Sequence, residues 1–199
     1  MPRTPKHTKE ELISRAMIHF WAHGYEASSI GDLVQATGVS RHGIYGDFGG
    51  KHHLFLACLD HYDRQIVSPA FQRVETPKAT LEQVLAFYHF NIDRSEAKGL
   101  PGSGCLMANT LTEVAPHDRA IRQVVNRHIL RLRNGFKNAI RNELAQAEAK
   151  RPIALPATIQ TMVVFTLGLW SLSRVTGDAG LLRQSAEAFV ASIRKGLTS

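Results

Sequence analysis

The sequence predicts an all-α chain of about nine helices, and three observations carry that prediction. Apolar residues recur at steps of three and four through nearly all of the 199 residues, the spacing that puts them on one helix face. Alternating runs of the strand kind do not occur. Serines and threonines stand before the periodic stretches and glycines or prolines after them, where helices start and stop.

Thr8 followed by Glu11 reads as a capping box opening the first helix. Leu12, Ala16 and Phe20 then line one face, and Gly24 ends it. Ser29 caps a second helix with Ile30, Leu33 and Val34 inward, stopped by Gly38, and Ser40 caps a third. A long fourth helix is expected from about Gly50 to Val74 and a fifth over Lys78 to Lys98, before Gly99 and Pro101. A short sixth follows over Gly104 to Val114 and a long amphipathic seventh over Asp118 to Lys150, before Pro152 and Pro156. The last two, Pro156 to Val175 and Asp178 to Gly196, are joined so tightly that they should lie antiparallel.

The formal charge is +7, a balance that suits a nucleic-acid partner. Its distribution weakens that argument: the first 53 residues carry six Lys and Arg against five Asp and Glu, whereas residues 119–151 carry nine against two. The polar N-terminus lacks the apolar stretch of a secretion signal. The run Met162 to Leu172, broken by Thr166, Gly168 and Ser171, reads as too short to cross a bilayer. With only Cys58 and Cys105 there is no disulfide framework. The expectation is therefore a soluble cytoplasmic protein without a membrane segment. The ten histidines form no Cys/His cluster, so neither a metal nor another cofactor is expected.

The second and third helices are short and joined through Thr37, Gly38 and Val39. That is the helix-turn-helix arrangement, whose second helix enters the major groove. Val39, Ile44 and Phe48 point inward, leaving Arg41, His42, Tyr45 and Gly46 outward. Arg41 can bond guanine edges or phosphate, His42 a base acceptor, and Tyr45 phosphate. Gly43 and Gly46 remove side chains that would hold the helix off the groove.

The run "GYEASSIGDLVQATGVSRHGIYGDFGGKHHLF", residues 24–55, resembles the DNA-binding domain of the TetR/AcrR family of transcriptional repressors. The resemblance implies a DNA-binding domain over residues 1–50 and a helical ligand-binding and dimerisation domain over 51–199. It also implies phosphate contacts at Ser28, Ser29, Tyr45 and Lys51, and adds Ser40 to the DNA-facing set. His42 and Gly46 depart from the family's usual residues, which throws base specificity onto Arg41 and His42. A homodimer is implied, paired through the last two helices, with Leu167, Leu169, Trp170, Leu172, Leu181, Leu182, Phe189 and Ile193 as interface candidates. Two third helices would then face successive major grooves of a palindromic operator, and a small-molecule inducer would release them.

"GCLMANTLTEVA", residues 104–115, resembles the Gly-Cys-Leu stretch that opens the sixth helix in one branch of the family. Some relatives there place a cysteine that senses electrophiles or oxidants, so the inducers include electrophiles acting at Cys105. A helix start lowers a thiol's pKa, yet a cysteine in such a place is also an ordinary core residue. Phe87, Phe90, Phe165 and Trp170 are candidates to line an apolar ligand cavity, with Asn91 and Asn109 as its polar groups. Two other readings compete: a helical carrier that does not bind DNA, and a cysteine-dependent enzyme built on Cys105.

Overall fold

The computed structural model describes residues 8–146 and 155–198. The polar N-terminus before Thr8, the expected end of the seventh helix at Lys150 and the break at Pro152 lie outside the described residues. Nine helices occur among those described, counting Lys51–Phe71 once: α1 (Lys9–His23), α2 (Ile30–Thr37), α3 (Arg41–Phe48), α4 (Lys51–Tyr62, followed without a break by a π-helical Asp63–Val67 and a last turn Ser68–Phe71), α5 (Leu81–Lys98), α6 (Leu106–Glu113), α7 (Arg119–Gln146), α8 (Leu155–Leu172) and α9 (Ala179–Thr198). No strand occurs among the described residues.

The caps fall where short polar side chains precede apolar runs. Thr8, Ser29 and Thr80 each complete a capping box, with Glu11, Asp32 and Gln83 respectively. Because Thr80 takes the cap, α5 begins three residues later than expected from Lys78. Likewise α6 begins at Leu106 rather than Gly104, so Cys105 precedes the helix instead of sitting in its first turn. The expected uniform fourth helix carries a π-helical stretch in its second half.

The described residues form two compact units, those up to 67 with 109–125, and those of 68–108 with the rest from 126 onward. In the first, Leu12, Ala16 and Phe20 of α1 pack with Leu54, Phe55, Cys58 and Leu59 of α4, all nearly solvent-free. Phe20 and Phe55 meet edge to face at 4.9 Å between centroids, a geometry that adds to their area burial. Leu33 of α2 and Ile44 of α3 are fully buried and close this core.

In the second unit, Phe71 meets Phe87 at 5.1 Å and Phe136 at 5.8 Å. Tyr88 donates to Thr166 across 2.9 Å, while Thr166 donates onward to the Met162 carbonyl at 2.7 Å. Arg183 of α9 pairs with Asp93 and Glu96 of α5, and Phe165 stacks on Phe189 at 3.8 Å. Leu169, Trp170 and Leu182 are buried inside the chain at 4%, 8% and 0% exposure, which removes them from the expected self-association surface. The exposed apolar residues of the last two helices are instead Val164, Leu172 and Leu181, with Val175 between the helices.

The apolar run at Met162 lies within α8, which ends at Leu172, three residues short of the expected Val175. α8 is 18 residues with a mean hydropathy of 1.4, long and apolar enough by length and composition alone to cross a bilayer. The core helix of a bundle meets the same description, and Ile159, Met162, Val163, Thr166, Leu169 and Trp170 are buried in this one.

Candidate nucleic-acid interface

Local hydrogen bonds set the angle between α2 and α3. Gly38 closes α2 in the left-handed conformation, φ 73°, with its N–H on the Val34 carbonyl, a cap that glycine adopts without strain. The Thr37 hydroxyl donates to the Leu33 carbonyl at 2.6 Å and accepts from the Val39 N–H at 3.2 Å. Arg15 of α1 donates to the Thr37 carbonyl at 3.1 Å. Ser40 then accepts from the Gly43 N–H and opens α3.

With Ile44 buried, α3 turns Arg41, His42, Tyr45 and Gly46 to solvent. Tyr45 is 48% exposed. A Cβ at Gly46 would have open space, whereas one at Gly43 would stand 2.7 Å from Val39 Cγ1. Gly43 therefore lets the turn pack on the helix; it does not thin the outward face, as its sequence position suggested.

Ser28 corrects a second expectation. It is fully buried, and its hydroxyl donates to the Gly24 carbonyl at 2.5 Å, so it does not present itself to phosphate. Ser29 is exposed, but its hydroxyl is shared between the Asp32 carboxylate and the Asp32 N–H. The hydrogen bonds that the Asp32 carboxylate accepts from the Ser29 hydroxyl and the Ser29 N–H hold it below its ordinary pKa. Lys51 is half-buried at the start of α4, its ammonium donating to the Tyr25 carbonyl. A feature that sequence reasoning missed is the carboxylate of Glu113, which accepts from the Glu26 N–H at 2.9 Å. Gly24-Tyr25 was the only signal for it.

The expected sensing residues do not form one lining. Phe87 and Trp170 are buried at 6.1 Å between centroids, and Phe165 lies 5.6 Å from Tyr88. Phe90 is 44% exposed, on the side of α5 opposite the fully buried Tyr88, since two steps along a helix turn a side chain through about 200°. Asn91 donates to the Phe87 carbonyl of its own helix, and Asn109 belongs to the first compact unit. Cys105 is buried at 8% exposure. Gly104 beside it has φ +66°, and a Cβ there would stand 2.8 Å from the Trp170 carbonyl oxygen.

A separate open groove of about 450 Å³ runs along α7, lined by Glu75, Arg127, Leu130, Arg131, Asn134, Gly135 and Asn138. Arg131 there is held by both oxygens of Glu75 at 2.7 Å. His19 and His23, four apart on α1, meet with their rings tilted by 36° at 4.6 Å between centroids, a pair the sequence reading passed over. Among the described residues no three metal-ligating side chains come together.

Residues 12–58 match the sequence profile described as bacterial regulatory proteins of the tetR family, and residues 80–189 the one described as the tetracyclin repressor-like C-terminal domain. The HTH-type transcriptional repressor ComR of Escherichia coli K12 is 32% identical over 126 residues, a match covering 63% of this chain and 60% of ComR's length. The HTH-type regulator YezE of Bacillus subtilis 168 is 24% identical over 181 residues, 88% of this chain and 91% of YezE. Among solved structures, a TetR-family regulator from Cytophaga hutchinsonii superposes with a TM-score of 0.79 at 20% identity, covering 95% of this chain and 94% of that one. A cysteine mutant of the regulator CifR, complexed with 26-base-pair operator DNA, superposes at 0.76 and 19% identity, covering 96% and 98%. These homologues are regulators and not enzymes, which displaces the reading of Cys105 as a catalytic nucleophile. With both halves matched, and the capped helix-turn-helix in place between residues 29 and 48, the chain belongs to the TetR family of transcriptional regulators.

Proposed function

We propose that this regulator is a repressor that binds a palindromic operator as a homodimer and is released by an effector acting on its C-terminal domain. The observation that carries the reading is the outward face of α3: Arg41, His42 and Tyr45 exposed around an open Gly46. Arg41 serves guanine edges or phosphate and His42 a base acceptor, while Tyr45 and Lys51 hold the backbone. Ser29 and Ser40 orient the helices through their caps. ComR, a relative by sequence, is named a repressor.

Pairing through α8 and α9 is supported by the apolar side chains they leave exposed, Val164, Leu172 and Leu181. A two-fold pair places two α3 helices about 34–36 Å apart, one turn of B-DNA. Residues up to about 50 read DNA and the rest bind effector and partner. A small apolar or electrophilic inducer, or modification of Cys105, lowers operator affinity to the extent that it favours the state unable to span that distance.

The test is binding to the DNA beside the protein's own gene, across a salt series, before and after thiol alkylation, with Cys105→Ser as control. Sequence-specific binding that weakens steeply with salt, lost on alkylation of the wild type and kept in the control, supports the whole reading. Binding indifferent to alkylation removes the thiol branch and leaves a reversible inducer. A chain that ignores DNA at every salt concentration is a carrier.

A further inference from the structure

Glu113 is the last residue of α6, far in sequence from the helix-turn-helix, yet its carboxylate occupies the connection between α1 and α2. Its Oε1 accepts from the Glu26 N–H at 2.9 Å. Gly24 has φ +88°, and a Cβ there would stand 2.8 Å from that oxygen and 3.2 Å from the other. The glycine thus opens a place that the carboxylate fills.

Other polar ties of this connection run to different partners. The Gly24 N–H caps α1 on the Phe20 carbonyl at 2.8 Å. The Gly24 carbonyl accepts from Ser28 at 2.5 Å, and the Tyr25 carbonyl accepts from Lys51 at 3.0 Å. The Glu26 N–H goes to the Glu113 carboxylate. Ser29, three residues on, is the cap that starts α2, so the place where α2 begins depends on a chain segment held at Glu26.

The corner that carries Glu113 is itself tied down. Asp118 accepts from the Ile121 N–H at 2.8 Å and pairs with His52 of α4 at 2.9 Å. Arg122 donates to the Ala115 carbonyl at 2.8 Å and to the Pro116 carbonyl. Residues 109–125 fold into the same compact unit as the helix-turn-helix.

We propose that Glu113 is a positioning residue for operator recognition: seated on the Gly24–Glu26 turn, its carboxylate sets where α2 starts and hence how α3 is presented to the groove. The proposal rests on the DNA-reading function above. It makes the end of α6 part of the reading head, and any effector that draws Glu113 off the turn releases α2.

The experiment measures affinity of the full chain for a specific fragment from beside its own gene and for unrelated DNA of equal length. Wild type, Glu113→Ala, Glu113→Gln and Glu113→Asp are compared, with thermal melting of each. Glu113→Ala is expected to lower the specific affinity roughly tenfold, the scale of one charge-assisted hydrogen bond, and to leave the affinity for unrelated DNA unchanged or slightly raised. Glu113→Gln, whose amide oxygen accepts the same N–H, is expected to keep the preference for the specific fragment to within about threefold. Glu113→Asp keeps the charge but is one methylene short, and is expected to behave like alanine. An unchanged preference in Glu113→Ala overturns the proposal, as does a glutamine variant that matches alanine or an aspartate variant that matches wild type. Should the alanine variant fail to fold, the glutamine and aspartate variants decide. A wild type without preference for the fragment overturns the DNA-reading function itself, and the proposal with it.

Discussion

The Lys51 ammonium stands 4.1 Å from the centroid of the Tyr25 ring and donates a 3.0 Å hydrogen bond to the Tyr25 carbonyl. The lysine proposed to contact phosphate is thereby held in place before DNA arrives, which reduces the side-chain freedom that binding would remove. Lys51→Met is expected to cost about 1 kcal/mol of stability in chemical denaturation, from the lost hydrogen bond and cation–π contact. It should also weaken operator and unrelated DNA alike, flattening the salt dependence by about one ion per lost contact.

The two glycines of α3 should respond in opposite ways. Gly43→Ala forces a Cβ to 2.7 Å from Val39 Cγ1, and is expected to destabilise by roughly 1–3 kcal/mol, the range for overpacking. Val39→Ala in the same chain should restore most of the loss. Gly46→Ala meets nothing within 4 Å and should stabilise by about 0.5–1 kcal/mol through helix propensity. Denaturation midpoints of the three variants check the pattern.

His128 on α7 is 7% exposed, and its Nδ1 has no hydrogen-bond partner among the described residues. Burial, with a smaller push from Arg131, lowers its pKa to about 4. The unfolded chain binds a proton there near pH 6.5 and the folded chain does not, so stability falls as pH drops from about 6.5 toward 4. That interval corresponds to roughly 3 kcal/mol. His128→Leu should flatten the stability profile over this window, and denaturation at a series of pH values measures it.

The two cysteines should be modified in a fixed order. Cys58 has no exposed surface, its thiol donates toward the Ile13 carbonyl at 3.5 Å, and burial pushes its pKa above the ordinary range. Cys105 retains 8% exposure. Timed alkylation of the native protein with peptide mass analysis should label Cys105 first, and Cys58 only as the chain unfolds.

The helix-turn-helix was legible because its determinants are local. Ser29, Gly38 and Ser40 act on backbone groups within four residues, and apolar spacing assigns Ile44 to the inside without knowledge of its partners. Ser28, Gly43, Leu182 and Phe90 were misread for the converse reason. Periodicity names a face, whereas what the face meets is set by residues distant in sequence. The Glu113 seat pairs positions 87 apart, and no local rule joins a glutamate at a helix end to a Gly-Tyr turn. The π-helical Asp63–Val67 was hidden too: Ile66 and Val67 are adjacent apolar residues, so the sequence does not show that the buried stripe passes from Tyr62 to Val67, a step of five.

The most direct measurement is a footprint of the wild type and Arg41→Ala on the DNA beside the protein's own gene. The account predicts a protected palindrome with half-sites about one helical turn apart, and loss of that protection in Arg41→Ala while non-specific binding at low salt persists. Equal protection of all sequences by the wild type, or an unaltered footprint in the variant, would contradict the assignment of α3 as the reading helix.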